Sequence, residues 1–367
     1  MLKEATKEFI STLCDTSSTG EQINKTARHF IDVASKAKND DVHSALGELS
    51  SVFSFEDMER GAFAAIVAGA LLEQGCNPAP VLEPLITLLQ RHLELSAKLA
   101  QECEKLIQPQ IEADTNDGNE DEERDIAELF YKSMPEVACR MPLEAEGWEA
   151  LDASWRAGIT LFSLSKEGRL KGRHLRQLAE KSAEYHQGSY WLSVMLSVMD
   201  DEPFLAIEPD TMKGIIGKMT GVVENFQLHT LLMDAFPQGG IFSTRRVSKQ
   251  VADIAKGNGP QSSEDTVIGA WNMYDWTAVS LDLKLPDATN TKAHANWIWG
   301  EGKPEDIPVF DGFRVVLLGP PSYERSFPSQ RMFDLLKANL TIEKHLSKSE
   351  AIEWLKKMAS APKPTID

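Results

Sequence analysis

An α+β protein is predicted: an acidic N-terminal helical region, joined by an acidic linker to a mixed C-terminal region with a small, mainly antiparallel sheet. Three observations predict it. Apolar residues recur at helical spacing through about the first 200 positions. Eight acids crowd Glu112 to Asp125, with only Arg124 opposing them. Four of the eight tryptophans fall between residues 271 and 325, beside the clearest strand, Phe313 to Leu318.

Taken in order, residues 2–14 and 20–37 carry weak helical periodicity. Ser54-Phe55-Glu56-Asp57 reads as a capping serine three residues before an acid, opening an apolar helix that ends at Gly75. Asn77-Pro78-Ala79-Pro80 turns the chain into a second helix through Ile107, with Leu82, Leu85, Leu89, Leu93 and Leu99 at roughly helical spacing. The two helices are expected to form an antiparallel pair. The acidic stretch that follows buries too little apolar surface to offset its ordering entropy. The expected organisation is therefore a helical domain over 1–108, an acidic linker over 109–124 and an α+β domain over 125–360. A calcium loop at Asp114, Asp117, Glu120 and Asp121 fails on spacing.

Helical signal resumes over 125–137, 148–164, 170–186 and 190–199. Past Asp200-Asp201-Glu202-Pro203 the period changes, and 204–207 with 215–223 reads as a hairpin. A helix is expected over 224–232 and another over 247–255. Strands are expected over 267–274, 277–283, 296–299 and 313–318, then a helix over 328–338. Ser347-Lys348-Ser349-Glu350 is a capping box that opens a terminal helix to Ala359.

Composition narrows the function classes. With 42% apolar residues, the 367-residue chain can bury a substantial core. The longest apolar run, Ala62 to Leu72, falls short of the roughly 20 residues that span a bilayer, and residues 1–8 lack the apolar core of a signal peptide. Cys14, Cys76, Cys103 and Cys139 are too far apart for a zinc site and read as reduced thiols, so a cytoplasmic protein is expected. Net charge is −18, and residues 1–125 hold 11 Lys and Arg against 24 Asp and Glu. Such a field repels nucleic-acid phosphates and anionic lipid, so neither a nucleic acid nor a membrane is an expected partner. The basic run Lys166, Arg169, Lys171, Arg173, Arg176 lacks interleaved aromatics and reads as a solvated helix face.

The candidate site residues are few. Asn225 and His229 lie four apart on a predicted helix and share a face, which offers an orienting amide and an acid or base. Gly239-Gly240 ahead of Arg245 and Arg246 could converge on an anion. Trp297 and Trp299 would face one side of a strand, as core or as a stacking wall. The turn after Gly319 has Pro320, Pro321 and Glu324 where a phosphate loop needs Gly-Lys-Ser/Thr. No G-x-S-x-G, H-E-x-x-H or metal-ligand spacing is present, and neither a cofactor nor a metal is expected.

Glu224 to Leu232, Trp297-Ile298-Trp299-Gly300-Glu301-Gly302 and Arg314 to Arg325 resemble bacterial proteins of an uncharacterised family, over roughly residues 190–330. The resemblance brings no reaction, cofactor or catalytic residue; it implies that the C-terminal region is a unit. The leading expectation is a non-enzymatic interaction or regulatory protein with a protein partner, docking through an apolar patch on its first helices. The alternative is an enzyme or small-ligand-binding protein with an anion-binding pocket in the C-terminal region.

Overall fold

The computed structural model describes residues 1–116, 126–236, 247–261, 265–287 and 291–363. The chain divides into two compact units, Met1–Ser197 and Val198–Asp367. The first is helical and the second mixed, so the α+β class holds.

The helical unit contains α1 (Leu2–Cys14), α2 (Gly20–Ala34), α3 (Asn39–Leu49), α4 (Met58–Glu73), α5 (Leu82–Asn116), α6 (Ile126–Arg140), α7 (Pro142–Leu164), α8 (Lys166–Gly172), α9 (Leu175–Glu180) and α10 (Gln187–Met195). The N-cap of α4 is Asp57, whose carboxylate accepts from the Arg60 N–H, rather than Ser54, which begins no helix. Arg60 in turn donates to the carbonyls of Leu13 (2.9 Å) and Asp15 (2.6 Å), tying the end of α1 to the start of α4.

The expected pairing of the two long helices is replaced by a three-helix arrangement, because α4 and α5 both pack most extensively on α7. Gly158 of α7 is the reason on the α5 side. A Cβ there would lie 2.7 Å from Leu89 Cδ1 and 3.0 Å from Leu192 Cδ2, so only glycine admits those leucines without displacement.

The expected boundary at 109–124 is corrected. α5 runs on through Asn116, the described part of the acidic stretch, while residues 117–124 lie outside the described residues. Beyond them the chain stays with the first unit, because Phe130, Val137, Trp148 and Tyr185 close a buried cluster with Leu99, Ala100, Cys103 and Ile107 of α5. Phe130 and Tyr185 stack with ring centroids 3.7 Å apart. The apolar faces of α6 and α7 thus place residues 126–197 with the helices and move the division to Ser197.

The second unit holds β1 (Glu202–Glu208), β2 (Lys213–Thr220), α11 (Asn225–Ala235), α12 (Lys249–Ala255), β3 (Thr266–Ile268), β4 (Asn272–Tyr274), β5 (Val309–Phe310), β6 (Phe313–Gly319), β7 (Ser326–Pro328), β8 (Asn339–Leu346) and α13 (Lys348–Ser360). The main sheet runs β4-β6-β1-β2-β8, with β5 also on β6, and only the β1–β6 pair is parallel. Its central strands are buried on both faces. Phe204 and Ala206 of β1, with Val316 and Leu318 of β6, pack against Leu228, Leu231 and Leu232 of α11. Leu205, Ile207, Val315 and Leu317 face the other way, onto Ala351, Leu355 and Met358 of α13. This layering explains why both strands read as continuous apolar runs rather than alternating ones.

Four expected elements of this unit differ. The strand expected over 267–274 is two strands, β3 and β4, which belong to different sheets. Residues 277–283 form no strand: a short 3₁₀ turn, Trp276–Ala278, capped by Asp275, is followed by irregular chain. Residues 296–299 contribute one bridge, Tyr274 to Trp297, not a strand. The helix expected over 328–338 is a series of turns, because the buried Arg331 guanidinium binds the carbonyls of Ile254 (2.9 Å), Gly259 (3.1 Å) and Asp334 (2.8 Å). Strand β8 then follows, unanticipated.

Candidate functional site

Helix α11 carries two of the expected site residues, and the structure gives each a structural task. His229 sits between Trp271 and Phe327, with ring centroids at 5.8 and 5.5 Å. Its Nε2 accepts from the Ala270 N–H at 3.2 Å. Burial, and then the charge of Arg325, hold its pKa down at about 4, so the ring is neutral at pH 7 and its acceptor nitrogen is occupied.

Asn225, one turn earlier, donates from Nδ2 to the Trp299 carbonyl at 2.8 Å. The backbone N–H groups of Asn225 and Phe226 donate to Gly302 and Gly300, both at 2.9 Å. The 299–302 loop therefore satisfies the first amides of α11, which would otherwise be orphaned. Asn225 Oδ1 and the neighbouring Glu224 Oε1 are buried, with no hydrogen-bond partner among the described residues. Burial pushes the Glu224 carboxyl up to about 7. The two α11 residues share a helix face but touch different partners, so they do not form one reacting group.

The tryptophans separate by role. Trp271 lies against His229 and donates to Glu208 Oε1 at 3.0 Å, while Trp276 packs on Phe310. Trp297 and Trp299 meet with ring centroids 5.1 Å apart, and His294 completes a trio at 4.3 and 5.9 Å. Trp299 is 43% exposed and its carbonyl is held by Asn225, whereas Trp297 packs against the core cluster beneath α13, so the trio runs from the surface into the core. Arg245 and Arg246, the expected anion-binding residues, lie outside the described residues. His229 thus meets one of the four tryptophans in the 271–325 stretch, Trp271, and the expected convergence is partial.

A concavity among the described residues of the second unit lies elsewhere. It is a cavity of about 610 Å³ built from Met233 of α11, Val247, Ser248 and Val251 around the start of α12, Thr266 to Gly269 along β3, and Pro321, Tyr323 and Glu324 after β6. Met233, Val251 and Val267 are buried together with Ala270 and Phe327, giving an apolar floor. Ser248 at its edge is committed to capping α12, its hydroxyl accepting from the Val251 N–H at 3.2 Å. Glu324 is the only charged side chain among the described residues of the lining. His229 lies behind the wall, since a Cβ on Gly269 would fall 3.2 Å from its Cε1.

Sequence reasoning missed this cavity because its walls come from four segments spread over about ninety residues, none of which carries a motif. Among the described residues no group of three or more His, Cys, Asp and Glu is placed to hold a metal, and no helix is long and apolar enough to cross a membrane. All four cysteines are free. No family model, curated protein or solved structure matches the chain.

Proposed function

We propose that the protein is a non-enzymatic interaction protein that captures part of a partner in the cavity beside β3. The observation that carries this reading is the cavity itself: about 610 Å³, with an apolar floor of Met233, Val251 and Val267 and a rim carrying Tyr323 and Glu324. That volume lies in the range of recognition pockets, which are mostly apolar with few polar groups. A binding role is supported over a catalytic one because the nearby hydroxyl and imidazole with the chemistry of a nucleophile and a base are already engaged. Ser248 caps a helix, and His229 is neutral with its acceptor nitrogen occupied.

The capture site differs from the one the sequence suggested. Among residues 1–108 only Met1 and Ile66 are exposed large apolar side chains, too few for a docking patch on the first helices. A cytoplasmic setting without nucleic-acid or membrane partners accords with the net charge of −18 and with the free thiols.

The test is binding of the neutral, environment-sensitive dye Nile red. The full chain should enhance its fluorescence, and Val251→Trp, which fills the cavity, should abolish the enhancement while the variant stays folded by circular dichroism, at a melting temperature lowered by overpacking a buried site. Enhancement that persists in Val251→Trp, or none in the parent, would contradict the reading.

A further inference from the structure

We infer that the occupant of this cavity is an extended, basic peptide segment that adds to β3 as a third strand. The inference rests on the cavity being the capture site and names what it captures.

The backbone of β3 makes the case. Among the described residues its sheet has two strands, with Thr266, Val267 and Ile268 opposite Pro328, Phe327 and Ser326 of β7. The Gly269 N–H donates to Arg325 and the Ser329 N–H donates to Asp265. In an antiparallel ladder residues of one parity bond to the partner strand and those of the other parity point away. Residues 265, 267 and 269 therefore face β7. Thr266 and Ile268 direct their N–H and C=O groups to the opposite edge, where among the described residues no backbone partner meets them.

The run of lining residues along β3 brings the cavity to that edge. Four consecutive residues, Thr266 to Gly269, line it. Successive side chains of a strand point to opposite faces, so a lining of four in a row has to include the strand's edge. Four backbone groups at two-residue spacing match another extended chain; an aliphatic or aromatic small molecule would leave them unmet.

Side chains and charge narrow the sequence. Val267 is 2% exposed and points to the floor, whereas Ile268 is 58% exposed on the other face. An added strand follows the same pleat, so alternate side chains fall over Met233 and Val251 and call for an apolar residue. Glu324, the single charged group in the described lining, calls for Lys or Arg. The occupant is thus a strand bearing an apolar and a basic residue two positions apart.

The probe is the capped pentapeptide acetyl-Thr-Val-Thr-Lys-Thr-amide, titrated calorimetrically and in competition with Nile red. Of two versions N-methylated on alternate amides, one should lose binding by about tenfold or more and the other should keep it, because only one set of N–H groups faces β3. Ile268→Pro removes an outward N–H without touching the β7 ladder, as an edge strand permits. It should weaken the peptide by a similar factor and leave Nile red unaffected. Glu324→Lys should weaken the peptide about fivefold and be rescued by replacing its lysine with glutamate.

If Nile red binds in the cavity but the peptide does not displace it, or both N-methylated versions bind like the parent, strand addition is wrong while the cavity reading stands. If neither probe binds, both fail. A concentration-dependent dimer that Ile268→Pro dissolves would assign the edge to a second copy of the chain and overturn the peptide.

Discussion

At the scale of single residues, burial fixes protonation states that link stability to pH. His92 of α5 lies 3.0 Å from Ser154 of α7, and burial lowers its pKa to about 4; His229 is held at about 4 as well. With the ordinary value at 6.5, the unfolded chain binds more protons than the native one between pH 6.5 and 4. Stability therefore falls as pH drops through that window, by about 1.4 kcal/mol per unit for each ring. Glu224 works in the opposite sense. Raised from 4.5 to about 7, it binds more protons in the native state, so its contribution is present below pH 4.5 and is lost as pH rises through 7. Glu224→Gln removes that loss and should stabilise the protein at pH 8 by up to about 3 kcal/mol. It should also steepen the decline below pH 6.5, where the histidines no longer have an opposing group. Urea midpoints from pH 4 to 8 measure both effects, and parallel curves for parent and variant would contradict the assignment. The histidine at 229 was legible as a helix-face residue, but nothing local shows whether such a ring meets a substrate or, as here, a tryptophan and a backbone amide.

At the scale of elements, the parts of the sequence that could be read were those whose local pattern and tertiary role agree. The Ser347–Glu350 capping box forms as expected, with both reciprocal bonds present. Strands β1 and β6 stand out because α11 and α13 cover both faces, which makes their central positions, 204–207 and 315–318, apolar throughout. Strand β8 was missed for the converse reason: it pairs with β2 at the end of the sheet order and carries Glu343, Lys344 and His345, the charged signature of an edge. The β5–β6 hairpin was legible but unread. Asp311 and Gly312, at φ of 49° and 84°, form the two-residue turn between Phe310 and Phe313 that Asp-Gly favours. The 328–338 helix failed because Arg331 draws its bonds from segments some seventy residues away. The double-sided sheet makes a direct prediction. Phe204→Ala and Leu205→Ala empty opposite faces of β1, and each should cost about 2–5 kcal/mol in chemical denaturation. Glu343→Ala on the exposed edge strand should change stability by under about 0.5 kcal/mol. A neutral result at either β1 position would mean that one face is not packed.

At the scale of the whole molecule, composition identified two regions but set the division too early. The acidic stretch marks a shift in charge, whereas the boundary is set by where apolar faces find partners, and Phe130, Val137, Trp148 and Tyr185 find theirs on α5. A fragment of residues 1–197 should therefore unfold cooperatively. Residues 1–108, stripped of α7 and of the partners of Leu99 and Ile107, should not. Circular dichroism on heating distinguishes them, and a sharp transition in the shorter fragment would restore the earlier boundary. The functional account belongs to the second unit, where the exposed edge of β3 meets an apolar cavity. Amide hydrogen exchange at Thr266 and Ile268, followed by NMR with and without the pentapeptide, tests that account most directly. The predicted result is fast exchange in the free protein and strong slowing at both amides on saturation, with little change at Val267 and Gly269, whose N–H groups already face β7. Saturation that leaves Thr266 and Ile268 exchanging as fast as before would contradict it.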